Sequence, residues 1–361
     1  MNYNEIHFDC LHFKGGVPCA PNKEKGSICK NCSDYYPIKT RILIIKLGAL
    51  GDVIRTTPLL KKFRSLYPNV QFTWITQSPE ILSKNEIHKI LKWDGISIFS
   101  LQEVHFDIAI NLDKEEEACQ LLSRINAKQK YGFTWENNHI SAVNQRAEHK
   151  LITGLFDEIS KKNTKSYLEE IFEICDFSFN KEEYSIHINH FLSDKWKIEF
   201  QNFTNKKIIG LNTGCGPRWN TRLWPIEFWQ ELALLLDENG FFPVFLGGEL
   251  EHEKNEELAR VTNVYYPGYF SLEEFIALTN SCELIVTQVS MMMHIATALQ
   301  KKLVLMNNIF NKYEFELYGR GVIVSPPLDC ICYYGNTCKK GTSCMHDITP
   351  VSVFNAVKSL F

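Results

Sequence analysis

The sequence lacks any run of about 20 apolar residues, the length that spans a bilayer. Its nearest approach, "LALLLDENGFFPVFLGG", is broken by Asp237, Glu238 and Asn239. It also lacks a secretory opening, since "MNYNEIHFDC" carries acids and no apolar centre. Charge of one sign is missing as well: 39 Lys and Arg stand against 42 Asp and Glu, a net −3. Without a basic field, nucleic acid is not an expected partner, and membrane contact is peripheral at most. No short-period repeat is visible. The expectation from these absences is a soluble, cytoplasmic protein.

Cysteine, by contrast, is plentiful. Of twelve, eight form two terminal clusters: Cys10, Cys19, Cys29 and Cys32, then Cys330, Cys332, Cys338 and Cys344. A secreted disulfide framework would need an export signal, so clustered thiols here point to metal. Each cluster supplies four thiolates, a donor set that suits tetrahedral Zn or Fe. The separations (eight, nine and two residues; one, five and five) match no common zinc finger. The number of sites therefore stays open: each cluster alone, a mixed set if the chain ends meet, or free surface thiols. His7, His12 and His346 are spare ligands. Because all these thiols lie outside the motifs described next, their metal is assigned a structural role.

At 361 residues the chain can hold two domains. "RILIIKL" reads as a strand buried on both faces. "VIRTTPLLKKFRSLYP" reads as one helix ending at Pro68, and "PEILSKNEIHKIL" as another. "VQFTWIT" and "FDIAINLD" are strands. Between Lys128 and Asn205 the pattern loosens, and "YGFTWENNHISAVNQRAEHK" suits long surface loops. A second alternation then begins: "KIIGLNT", "FFPVFLGG", "ELIVTQ" and "KLVLMNN" as strands, with helices between them. Alternation of this kind implies an α/β fold with parallel, doubly wound sheets. Thr349 before Pro350 marks the start of a last helix. The expected division is a Cys-rich segment over 1–38, α/β domains over 39–195 and 206–328, and a Cys-rich segment with the final helix over 329–361.

In such sheets ligands gather beyond the carboxyl ends of strands, and the marked residues fall there. Gly48 and Gly51 follow the first strand, with Asp52 opening the next helix. Asp52 is either an N-cap or a group facing a ligand, and a helix N-terminus favours its ionised, basic form. "NTGCGPRWNTRLWP" offers Thr213, Gly214, Cys215 and Gly216 with Arg218 and Arg222. Small residues with free N–H groups beside guanidinium groups suit a diphosphate; an ordinary Gly turn with solvated arginines is the alternative. "LGGELE" brings Gly248 and Glu251, an acid able to hold ribose hydroxyls or merely to meet a helix dipole. "VSMMMHIATAL" places Ser290 at an N-cap and His294 one turn later, as a site residue or a core histidine.

Together these stretches resemble glycosyltransferase family 9, the ADP-heptose-dependent heptosyltransferases, over about residues 41–325. The resemblance implies the GT-B architecture: two Rossmann-like domains facing a cleft, the first binding acceptor and the second nucleotide sugar. It puts the catalytic base at Asp52 and the diphosphate's basic partner at Arg222. It puts the nucleoside-contacting acid at Glu251 and the donor-proximal histidine at His294. One departure is plain: the family commonly reads Asp-Thr-Gly-x-x-His where this chain has Val289, Ser290, Met291, Met292, Met293 and His294. The Cys-rich tail looks like that of a subgroup related to the bacterial autotransporter heptosyltransferases, which bind iron through cysteines. The resemblance implies inverting transfer from a nucleotide sugar, ADP-heptose foremost, to a hydroxyl of a glycan or protein. Alternatives are another nucleotide donor, or a metal-stabilised binding protein that keeps a transferase-like fold.

Overall fold

The computed structural model describes all residues except Trp219, Asp329, Ile331 and Asn336. The chain forms two compact units, one of residues 1–47, 59–79 and 84–147, the other of 48–58, 80–83 and 148–361.

The first unit is built on β1 (Thr40–Ile45), β2 (Val70–Thr76), β3 (Lys89–Lys92), β4 (Phe106–Asn111), β5 (Ala127–Glu136) and β6 (His139–Ala142). Their order in the sheet is β3-β2-β1-β4-β5-β6, parallel throughout except for the β5–β6 hairpin. β1 sits at the centre, with Ile44 opposite Trp74 on one side and Ile110 on the other. Ile42 to Ile45 are wholly buried, as the unbroken apolar run required. Just past β1, the Lys46 ammonium and the Leu47 N–H both donate to the Asp113 carboxylate. Burial pushes the Asp113 carboxyl up, and Lys46 opposes that shift. The pair ties the ends of β1 and β4 together. Removing one partner alone would leave a buried charge, at about 3–5 kcal/mol.

Three expectations fail in this part of the chain. The segment read as a helix near residue 79 is a 3-10 turn (Pro79–Ile81) followed by β3. The expected loops over 131–150 are instead the β5–β6 hairpin and the start of a helix, Gln145–Leu155. The single helix after β1 is two, Leu50–Ile54 and Pro58–Leu66. At that break the Thr56 and Thr57 hydroxyls bond the carbonyls of Asp52 and Ile54, competing with the helix ladder ahead of Pro58.

The second unit holds β7 (Lys207–Asn212), β8 (Phe241–Leu246), β9 (Leu284–Gln288), β10 (Lys302–Met306) and β11 (Gly321–Val324), a strand not anticipated. All are parallel, in the order β11-β10-β9-β7-β8. The winding reverses between β7 and β9, where loops leave in opposite directions and open a crevice. Trp229, Leu232 and Leu236 from helix Ile226–Glu238 share one core with Val353, Phe354 and Val357 from helix Pro350–Ser359. Thr349 caps that last helix, its hydroxyl accepting from the Ser352 N–H at 3.2 Å, a contact worth about 1 kcal/mol. No helix among the described residues is long and apolar enough to cross a membrane.

Candidate active site

The turn after β1 settles one of the two readings of Asp52. Ala49, not Asp52, is the N-cap residue of helix Leu50–Ile54, and no side chain caps it. Asp52 lies in the first helical turn with a third of its side chain exposed, and its Oδ1 accepts from Arg55 Nη2 at 2.7 Å. The other guanidinium nitrogen, Nη1, donates to Glu314 Oε1 at 2.8 Å, and the Tyr334 hydroxyl donates to Glu314 Oε2 at 3.0 Å. The Arg55 guanidinium lies 3.6 Å from the centre of the Tyr167 ring. Burial opposes ionisation of Glu314, but Arg55 and these hydrogen bonds outweigh it and hold its carboxyl below the ordinary value. Burial likewise opposes charge on Arg55, and Asp52 with Glu314 overcomes it. The carboxylate of Asp52 thus belongs to a chain of contacts that runs through Arg55 and Glu314 to Tyr334.

Gly51 explains how closely this helix sits against Met291–Ala298. A Cβ there would stand 2.5 Å from His294 Cδ2, so only glycine fits without moving the ring. His294 is buried, with Tyr184 stacked at 6.2 Å and no hydrogen-bond partner for Nδ1 among the described residues. Burial, and next the Arg55 charge, push its imidazole down to about 3, so it is neutral at physiological pH.

The loops after β7 and β9 meet at the reversal of the second sheet. Asn212 Nδ2 donates to the Gly214 carbonyl at 2.7 Å and to Thr287 Oγ1 at 2.9 Å, while Ser290 caps its helix by accepting from the Met292 N–H. Arg222 is buried, its two terminal nitrogens donating to the carbonyls of Val289 and Cys215. At position 289 it is the backbone carbonyl of Val289 that Arg222 meets. Burial pulls its pKa below the ordinary guanidinium value, and Cys215 partly offsets this. Burial also pushes the Cys215 thiol up.

Asp52, Gly51, Cys215, Arg222, Ser290 and His294 line one cavity of about 400 Å³, with Arg55, Arg218, Glu314 and Tyr334. Gly214, Cys215, Gly248, Glu251 and Ser290 line a second cavity of about 410 Å³ that shares Cys215, Gly216, Ser290 and Met291 with the first. Glu251 accepts from the Gly248 N–H at 3.0 Å, and a Cβ on Gly214 would collide with its carboxyl at 2.3 Å. Two expected site residues stand apart. Thr213 is wholly buried, its hydroxyl donating to Asn255 Oδ1 at 2.6 Å and its carbonyl accepting from Lys254 Nζ, and it lines neither cavity. Gly48 lines neither cavity as well. Arg55, Glu314 and Tyr334 were not anticipated. Arg55 carried a signal, standing three residues beyond an acid on one helix; Glu314 and Tyr334 carried none.

The eight clustered cysteines are free thiols. Cys10, Cys19, Cys29 and Cys32 line a cavity in the first unit. In the second, Cys332 Sγ is 3.9 Å from Cys338 Sγ, the Cys332 N–H donates to Cys330 Sγ at 3.3 Å, and the Cys330 and Cys344 thiols are hydrogen-bonded. Among the described residues, no three His, Cys, Asp or Glu side chains form a ready-made metal site.

Comparison with known proteins decides the family. The model of glycosyltransferase family 9 (heptosyltransferase) matches residues 98–319, more than half the chain. The chain belongs to this family. As a family 9 member it is a glycosyltransferase. It is 23% identical over 274 residues to the lipopolysaccharide core heptosyltransferase OpsX of Haemophilus influenzae, covering 71% of this chain and 75% of that one. Among solved structures, ADP-heptose LPS heptosyltransferase II of E. coli shares the fold with a TM-score of 0.64 at 17% identity, over 89% of this chain and 98% of that one. The dodecameric iron-containing heptosyltransferase TibC, solved with ADP-D-β-D-heptose, aligns with a TM-score of 0.56 at 12% identity, over 89% and 76% of the two chains. The GT-B type of paired Rossmann-like sheets agrees with these neighbours.

Proposed function

We propose that this glycosyltransferase moves heptose from ADP-heptose to a hydroxyl of a glycan or protein acceptor, with inversion at the anomeric carbon. The observation that carries the proposal is that Asp52 and Arg222 line one cavity, a carboxylate and a guanidinium with opposite tasks. Asp52 takes the proton of the acceptor hydroxyl as its oxygen bonds to the anomeric carbon. The bond from that carbon to the diphosphate oxygen breaks, and its electron pair leaves with ADP. Arg222 and the backbone N–H groups around Gly214 to Gly216 stabilise the charge that gathers on the diphosphate. Glu251, on the adjoining cavity, accepts hydrogen bonds from ribose hydroxyls. Neutral His294 packs against the turn that carries Asp52.

The heptose assignment draws on what the relatives are named for; Val289 in place of an acid is the feature that favours a different donor. A thermal-shift panel of ADP-, UDP-, GDP- and CMP-linked sugars, followed by intact-mass detection of transfer, tests both points. ADP-heptose should stabilise the protein most. Greater stabilisation by a non-adenine sugar refutes the heptose reading while leaving sugar transfer intact.

The tail cysteines Cys330, Cys332, Cys338 and Cys344 are proposed to hold one Zn or Fe ion in a structural role. Their pairwise contacts and all-thiol donor set suit such an ion, and TibC is iron-containing. The ion would tie this segment beside Thr221, whose carbonyl accepts from both Ser343 Oγ and Asn308 Nδ2. No step of transfer runs through it.

A further inference from the structure

We infer that Cys10, Cys19, Cys29 and Cys32 hold a second metal centre, of zinc or iron, that folds the N-terminal segment. Residues 1–38 contain one short helix, Ala20–Lys25, and two 3-10 turns. Pro21 is the sole residue among them that is fully buried. A segment of this size has no hydrophobic core, and chains this small take a definite shape when staples replace one. Disulfides do not supply the staple, because all four thiols are free.

The backbone nevertheless turns at each cysteine. The Cys10 N–H donates to the His7 carbonyl, and the Cys10 carbonyl accepts from Phe13. Cys19 precedes the helix, its carbonyl accepting from Lys23. Cys29 opens a 3-10 turn that closes on the Cys32 N–H. The segment then folds back on itself, with Leu11 bonded to Tyr36 and Ile38 to Asp9. The result is that all four cysteines, with His7 and His12, line one cavity of about 250 Å³. Four sulfurs from three separate turns around one space form the donor set of a thiophilic metal, which binds thiolates and releases their protons. The thiols stand around the cavity and are not already gathered at the spacing of one ion. Metal therefore either draws them inward as a single zinc or iron, or fills the space as an iron–sulfur centre. The shared chemistry is thiolate ligation, and metal and sulfide content separate the cases.

The test uses the full chain purified without oxygen. Metal and acid-labile sulfide are measured per chain in the unaltered protein and in the Cys29→Ser, Cys32→Ser variant. In parallel, iodoacetamide labelling of the unaltered protein is mapped by mass spectrometry before and after a strong chelator. The expected result is loss of at least about one metal equivalent in the variant, and protection of all four cysteines until the chelator acts. Unchanged metal content in a monodisperse variant overturns the inference. So does immediate labelling of the four thiols in the unaltered protein, a readout that does not depend on the variant folding. The tail cysteines are unaltered throughout, and neither measurement depends on sugar transfer.

Discussion

Replacing Asp52 by Asn separates chemistry from structure because the two effects differ in size. On the structural side the losses are small. Asp52 is not the N-cap, so no capping bond disappears. Its charge in the first turn meets the helix dipole, worth about 0.3–1 kcal/mol. Its contact with Arg55 is made by a side chain one third exposed, which leaves about 0.2–1 kcal/mol after solvent screening. An Asn oxygen still accepts from Arg55, so much of that contact survives. The chemical loss is larger: an amide cannot take the acceptor proton at neutral pH, and removing a positioned base costs roughly a hundredfold or more. In barrier terms that is about 2.7 kcal/mol. The assay is product formation from ADP-heptose by mass spectrometry, alongside donor affinity and thermal unfolding. Turnover should fall by at least roughly a hundredfold with donor affinity kept and Tm lowered by only a few degrees. Near-normal turnover refutes the base assignment, and a collapse of Tm refutes the small structural cost.

Glu314→Gln removes one of the two carboxylates, Asp52 and Glu314, that pair with Arg55 among the described residues. Turnover should drop by about tenfold with donor KM unchanged; lower Tm with unaltered kcat would make the Asp52–Arg55–Glu314 chain purely structural. His294 supplies a pH signature. Its folded imidazole is pushed down to about 3 from an ordinary 6.5, so between these values the unfolded chain binds more protons. The stability it contributes is full above about 6.5 and is lost as the pH falls, by roughly 2 kcal/mol at pH 5. In His294→Gln that part of the slope should vanish, and denaturant titrations with identical slopes would refute the buried neutral ring. Gly51→Ala forces a Cβ to within 2.5 Å of the same ring. Overpacking of this kind costs about 1–3 kcal/mol, so thermal unfolding should shift down by several degrees; an unchanged Tm would mean the two helices do not touch there.

The elements that could be read from sequence are those whose pattern and environment agree. β1 and β9 are short apolar runs buried on both faces, and nothing local competes with them. β3 shows the opposite case. "PEILSKNEIHKIL" has apolar residues near helical spacing, yet Lys89–Lys92 is an edge strand with exposed lysines at its ends and half-buried Ile90 and Leu91 between them. Its pairing with β2, Ile90 beside Trp74, is a long-range contact that no local window contains. The β5–β6 hairpin was hidden for another reason. Asn137 and Asn138 both take positive φ, the turn geometry that asparagine tolerates, but their polar neighbours made the stretch look like open loop. The break at Thr56, Thr57 and Pro58 is legible, since two hydroxyls that bond local carbonyls precede a proline.

The site follows the same division. Asp52, Arg222, Ser290 and His294, which line one cavity, were legible as candidates because each lies in the connection that follows a strand, where a parallel sheet delivers its loops. Glu314 could not, since it meets Arg55 across 259 positions of sequence and rests on a single 3-10 turn, Lys312–Glu314. Its position nevertheless changes the chemistry. A lone Arg55 would set one unopposed charge beside Asp52, the proposed base. Glu314 answers that charge from the far side and takes a second hydrogen bond from Tyr334, so Arg55 fixes the direction of the Asp52 carboxylate while Glu314 offsets its charge. Arg222 is held differently: its terminal nitrogens donate to the carbonyls of Val289 and Cys215. Of the three guanidinium groups on this cavity, Arg55, Arg218 and Arg222, the first is flanked by two carboxylates and the last is held by carbonyls; under the proposed transfer Arg55 orients the base and Arg222 meets the leaving diphosphate.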